Sequence, residues 1–298
     1  MEIIGHEKII KLLDRSIEKE NVAQAYIFSG PVGVGKYAVA LDFAEKLLAS
    51  AENRPQTGAI KPDLLLIKPE IEEKKRVVRV GDIKIESIRD FQHKAGLSTL
   101  GGKYKVAIID DADRMTKEAQ NALLKTLEEP NKNLVVILVV QNEKRILSTI
   151  SSRCQKIKFG TVALAEMEKN IPVGIKNKEE ILFWSLGRPG FMLELVKNKP
   201  ELDFRRESLE ELKNLFAKNF SDRFSLAGRL SMDGNLAVRK MDLWLVVIRQ
   251  ALLGDGGLIK ISKSQSLKLI EKIDESLRLI KNTNANIKLV LENLFLNF

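Results

Sequence analysis

The spacing of apolar residues changes along this chain, and each change marks an element. Over residues 6–20, Ile9, Ile10, Leu12, Leu13 and Ile17 recur at helical spacing. Ala25–Ser29 is a short apolar run that leads straight into a glycine-rich turn. Tyr37–Ala49 then reads as a helix with Val39, Phe43, Ala44, Leu47 and Leu48 on its apolar face. Leu64–Lys68, Lys105–Ile109, the strongly β-branched Leu134–Val140, and Gln155–Phe159 read as further strands. Helices are predicted between them: over Ile83–Lys94, from an N-cap at Thr116 to Glu129 with Pro130 as its stop, and near Ser148–Ser152. Residues 50–62 are polar and turn-rich, 70–82 are charged and read as a loop or hairpin, and Gly101-Gly102 marks a turn.

Strands that alternate with helices predict an α/β parallel sheet with right-handed crossovers. Beyond residue 163 the periodicity is helical throughout. Pro189-Gly190 and Pro200 punctuate it and set off a small helical unit at 163–202. In the all-α remainder, Met241–Leu253 reads as a buried helix. Leu269, Ile270, Ile273, Leu277 and Ile280 form one stripe; Ile287, Val290, Leu291, Leu294 and Phe298 form another. The expected organisation is therefore a parallel-sheet domain at 1–162, a small helical domain at 163–202 and a helical domain at 203–298. A length of 298 residues suits more than one core.

Composition narrows the chemistry. With 44% hydrophobic and 30% charged residues the chain reads as an ordinary soluble globular protein. No apolar run approaches the roughly 20 residues of a membrane helix, and MEIIGHEKII lacks signal-peptide character, so a cytoplasmic location without membrane contact is expected. The one cysteine, Cys154, and two distant histidines, His6 and His93, argue against a disulfide, a multi-cysteine zinc site or other His/Cys metal chemistry. The net charge of +9 is spread along the chain, so a solvated lysine-rich surface and contact with nucleic acid or an acidic partner both remain open.

Gly30-Pro31-Val32-Gly33-Val34-Gly35-Lys36-Tyr37 follows the phosphate-loop spacing G-x-x-x-x-G-K, except at its last position. Gly30, Gly33 and Gly35 would let backbone amides face a phosphate at a helix N-terminus, and Lys36 would reach the β- and γ-phosphates. The next residue should carry a hydroxyl for Mg²⁺. Tyr37 places its phenol several ångströms too far out. In KVAIIDDAD (105–113), four apolar residues end in Asp110-Asp111, as in a Walker B strand. Asp110 would hold Mg²⁺, directly or through water, whereas Asp111 is one methylene shorter than the glutamate expected to activate water. Weak Mg·ATP binding and an inherited strand-to-helix turn both remain open.

Further segments carry a family resemblance: Ile4–Lys8, Ala25–Pro31, Asn121-Ala122-Leu123-Leu124-Lys125-Thr126-Leu127-Glu128-Glu129-Pro130, Ser152-Arg153-Cys154, Leu186–Gly190 and Asn286–Leu294. With the phosphate loop, they resemble the AAA+ subunits of the bacterial sliding-clamp loader, strongly over 1–160 and moderately over the last fifteen residues. Within that family the pattern is most similar to the delta-prime type. The resemblance implies an α/β P-loop (AAA+) core, a helical lid and an all-α collar joining five subunits. It implies gamma/tau and delta subunits as partners in a hetero-pentamer, with the sliding clamp and primer-template DNA contacted indirectly. It also implies that Arg153 reaches, as an arginine finger, the γ-phosphate of ATP held by a neighbouring subunit. The alternative for Arg153 is a helix-end arginine bonding local carbonyls.

Two departures follow. Residues 50–62 are too short and cysteine-poor for the zinc module of many relatives, so no zinc is expected. Gly190 stands where active loader ATPases carry a lid arginine, Arg188 lies two residues earlier, and Gln141 stands near the usual sensor position. Tyr37, Asp111, Gln141 and Gly190 thus weaken the chain's own ATP site while Arg153 is intact. A gamma/tau-type ATPase working through Lys36 and Asp110 is the alternative.

Overall fold

In the computed structural model the described residues are 3–49, 62–74, 77–99, 102–129, 131, 133–217, 219–254 and 258–298. The turn-rich and zinc-module stretch up to residue 61, Gly101 and the helix stop at Pro130 lie outside them. The chain forms two compact units, Met1–Lys197 and Asn198–Phe298.

The first unit is built on five parallel strands: β1 (Ala25–Ser29), β2 (Leu64–Ile67), β5 (Lys105–Ile109), β6 (Leu134–Val140) and β7 (Gln155–Lys158), in the order β2-β5-β6-β1-β7. All seven residues of β6 are buried, as expected for a central parallel strand covered on both faces. One face packs on α1 (Glu7–Glu18) and α2 (Lys36–Ala49), where Leu13, Val39, Phe43 and Leu47 meet Tyr26, Phe28 and Ile137. The other packs on α3 (Ile85–Gly96) and α4 (Lys117–Glu128), where Ile88, Phe91 and Leu123 meet Ile27, Ile109 and Val136. Thr116 caps α4 by accepting from the Ala119 amide at 3.2 Å.

The charged stretch 70–82 contains an antiparallel hairpin, β3 (Ile71–Lys74) with β4 (Val77–Val80). The helix expected from Ile83 starts two residues later. Ile83 is engaged elsewhere: its amide donates to Arg114 O (3.0 Å) and its carbonyl accepts from the Thr116 amide (3.1 Å). After β7 come α5's successors, three short helices: α6 (Leu164–Lys169), α7 (Lys178–Ser185) and α8 (Pro189–Lys197); α5 itself, Ser148–Ser151, precedes β7. Gly187 closes α7 at φ +70°, and a β carbon there would lie 2.8 Å from Val162 O.

The second unit is helical: α9 (Lys199–Ala217), α10 (Phe220–Leu230), α11 (Gly234–Leu253), α12 (Lys263–Asn282) and α13 (Ile287–Phe295). The buried stretch expected at Met241–Leu253 is the second half of α11, although Leu253 is exposed at its end. Trp244 is its centre, donating from Nε1 to Ser208 O at 2.8 Å and packing on Phe295. Buried Lys240 is paired with Glu207 and Glu211 at 3.0 and 2.7 Å, which compensates its desolvation.

Candidate functional site

The glycine-rich loop leaves the carboxyl end of β1, which lies between β6 and β7. This is where strand order reverses, the usual ligand position in such sheets. Gly30, Gly33 and Gly35 take φ of +155°, +79° and +106°. A β carbon on Gly30 would lie 2.3 Å from Phe159 O, so only glycine permits this approach. His6 hydrogen-bonds through Nε2 to Val34 O (2.8 Å) and meets the Phe159 ring edge-on at 4.9 Å. His6 belongs to the Ile4–Lys8 segment, and nothing in the spacing of that segment reports its contact with the loop.

Lys36 is buried, and its ammonium donates to two carbonyls of its own loop, Gly30 O at 2.6 Å and Pro31 O at 2.7 Å. Burial lowers its pKa, opposed by Asp111, Asp110 and Asp113. Tyr37 follows with its ring 4.5 Å from Lys68 Nζ, a cation–π contact where the expected residue would offer a hydroxyl. Asp110 is half-buried at the end of β5; burial and then Asp111 raise its pKa, opposed by Lys68 and Lys36. Asp111 has φ +49°, and its Oδ1 accepts from Gln141 Nε2 at 2.9 Å. The Gln141 amide donates to Asp113 Oδ1 at 3.0 Å. Gln141 therefore ties down both acids beyond Asp110.

The start of α8 approaches the same loop. The Gly190 amide at the start of α8 donates to Gly33 O at 2.8 Å, and a β carbon on Gly190 would lie 3.0 Å from that oxygen. Arg188 turns to its own helix end: Nε donates to Ser185 O at 3.2 Å and the guanidinium lies 4.9 Å from the Phe191 ring centre. These residues bring Lys36, Tyr37, Asp110 and Asp111 together. They offer backbone for a phosphate and one carboxylate for a cation, but not the hydroxyl and unengaged second acid that Mg·ATP hydrolysis requires.

Arg153 lies at the other end of the sheet. Gln155 pairs with Tyr26, so the turn carrying Arg153 enters the amino end of β7, while the loop leaves β1 beyond Ser29. The strand between them spans roughly 15 Å. Cys154 packs against the core, where burial pushes its thiol up to about 12, out of reactive range. Arg153 beside it points outward, with 39% of its side chain exposed. Its Nη1 donates to Thr149 O (2.9 Å) and Ser152 Oγ (3.4 Å), and its Nη2 meets Glu128 Oε1 at 2.9 Å. The local-carbonyl bond expected of a helix-end arginine is therefore present alongside an ion pair.

Buried Gln120 on α4 fastens the segment that leads into α5. Its Nε2 donates to Met115 O (3.2 Å) and Arg145 O (3.0 Å), and its Oε1 accepts from the Leu147 amide at 2.8 Å. A lone glutamine on an apolar helix face was the available sequence signal.

Comparison with known proteins places this geometry. Residues 5–163 match the family model described as DNA polymerase III, delta subunit. The chain is 36% identical over 163 residues to DNA polymerase III subunit delta' of Bacillus subtilis (strain 168), covering 51% of this chain and 46% of that one. It is 32% identical over 164 residues to subunit tau of the same organism, covering 53% of this chain and 28% of tau. The matched region thus spans less than half of either relative. In fold, the chain is similar to a DNA polymerase III gamma subunit-related protein from Thermotoga maritima, with a TM-score of 0.56, 22% identity, and 96% and 97% of the two chains covered.

Proposed function

The chain belongs to the DNA polymerase III delta subunit family, and from that premise we propose that it is a delta-prime-like subunit of a sliding-clamp loader in DNA replication. It occupies one place in a hetero-pentameric ring with gamma/tau and delta subunits, and acts on the sliding clamp and primer-template DNA through that assembly. Its own loop serves as a structural strand-to-helix turn. Its chemical contribution is Arg153, presented to ATP held by a neighbouring gamma/tau subunit. The permanently charged, planar guanidinium suits the equatorial oxygens of a γ-phosphate, where it stabilises charge as the phosphoryl group transfers.

The observation that carries this reading is the separation of Arg153 from its own loop by the length of a strand. From the amino end of β7 the side chain has no route to its own phosphate loop, yet it is held outward. The test is a reconstituted loader carrying Arg153→Ala. Assembly is expected to persist while DNA-dependent ATP hydrolysis falls; unchanged hydrolysis removes the reading. Titration of the isolated chain with labelled ATP separates the gamma/tau-type alternative, which requires micromolar, Mg-dependent binding.

A further inference from the structure

We propose that Glu128 is a positioning residue for Arg153, setting the guanidinium so that one edge stays available to a phosphate; this rests on the trans-acting reading of Arg153 above. Glu128 is the last residue of α4, in the Asn121–Pro130 segment for which the function proposed so far has no use. A guanidinium carries five N–H groups. Nη1 donates to Thr149 O and Ser152 Oγ, and the Glu128 carboxylate makes an ion pair with Nη2 at 2.9 Å. Nε–H makes no hydrogen bond to the described residues, and one Nη2–H lies beside it. In a planar guanidinium these two donors lie along one edge, the fork that matches two oxygens of a phosphate.

The Nη1 contacts alone hold one corner of the group. Rotation about the terminal bonds of the side chain would still sweep the Nε/Nη2 edge through a range of directions. The carboxylate on Nη2 fixes the second corner and so the direction of the edge. Glu128 can do this because α4 is itself fixed: Thr116 caps its start and Gln120 bonds it to the segment leading into α5. Both partners are partly exposed, with side chains 39% and 51% accessible, so the pair is too weak to be a stability device. Its value lies in orientation, since a misdirected catalytic group forfeits rate without forfeiting binding.

The opposite assignment, a carboxylate that withholds the arginine from its target, predicts the opposite sign. The experiment uses the reconstituted loader with full-length chain, clamp and primer-template DNA, and measures kcat and KM for ATP. Glu128→Ala is expected to lower kcat about threefold to fivefold with KM within about twofold. Glu128→Gln keeps an acceptor oxygen and is expected to stay within about twofold of wild type. In an Arg153→Ala background, Glu128→Ala is expected to cause no further loss. A rise in kcat, an equal loss in the Arg153→Ala background, or no loss while Arg153→Ala alone is slow would each overturn the proposal. If Arg153→Ala itself leaves hydrolysis unchanged, the trans-acting reading fails, and the role of Glu128 with it. The melting temperature of the isolated Glu128→Ala chain within about 2 °C of wild type marks the effect as positional.

Discussion

At the carboxyl end of the sheet, Lys36 gives its ammonium to Gly30 O and Pro31 O, Asp111 accepts from Gln141, and the Gly190 amide bonds Gly33 O. At the amino end, Arg153 is held at Nη1 by hydrogen bonds and at Nη2 by an ion pair, while its Nε–H makes no hydrogen bond to the described residues. Both ends carry phosphate-matching cations, but one is turned inward on its own loop and the other outward. On the proposed reading, the contrast teaches that a nucleotide-binding fold can keep its architecture while its chemistry moves to another edge. The fold needs the glycine turn for β1 and α2 to connect, whatever the loop binds.

The comparison can be broken most forcefully at Arg153. Arg153→Lys keeps the charge and loses the planar fork. Turnover at the neighbouring site is expected to fall by about tenfold or more, against on the order of 10³-fold for complete loss of such a finger. Wild-type turnover with lysine would mean that charge alone acts there. A smaller effect is expected at Tyr37. Tyr37→Thr restores the missing aliphatic hydroxyl but removes the ring beneath Lys68, at a cost of about 1 kcal/mol in the unfolding free energy from denaturant titration. It is expected to give no robust ATP turnover by the isolated chain, because Asp111, Gln141 and Gly190 are unchanged. Strong turnover would show the carboxyl end to be one substitution from activity.

The smallest effect concerns Asp110. Its pKa is raised from 3.8 by burial and by Asp111, so the charged form costs stability. With the folded value above the unfolded one, the cost is fully present above the folded value and vanishes as pH falls below about 3.8. Asp110→Asn is therefore expected to raise the stability of the first unit at pH 7 by less than about 1 kcal/mol, the carboxylate being only half-buried. The gain should shrink as unfolding is repeated toward pH 4. A gain that grows toward acid would show the carboxylate to be stabilised, not strained.

Much of the fold was legible because burial imposes a period. The apolar face of α2 was read residue by residue, and Val39, Phe43, Ala44, Leu47 and Leu48 are all buried. Thr116 announced its helix because a cap is a local signal. Ile83 misled because its apolar side chain fits a helix face, while its backbone is taken by Arg114 and Thr116, partners that are distant in sequence. The same distinction holds at the sites. Gly30–Lys36 is contiguous, and its spacing was sufficient to find it. The His6 brace, the Gly190–Gly33 bond and the Glu128–Arg153 pair each join segments far apart along the chain, and no spacing rule reports them.

The central claim is that this chain acts through Arg153 and not through its own loop. The most direct measurement is DNA-dependent ATP hydrolysis by a reconstituted loader whose copy of this chain carries Lys36→Met, run beside the Arg153→Ala loader. Lys36→Met keeps most of the buried volume and removes the only loop cation. Hydrolysis equal to wild type with Lys36→Met, and greatly slowed with Arg153→Ala, is the predicted result. Loss of hydrolysis with Lys36→Met in a fully assembled loader would contradict the account.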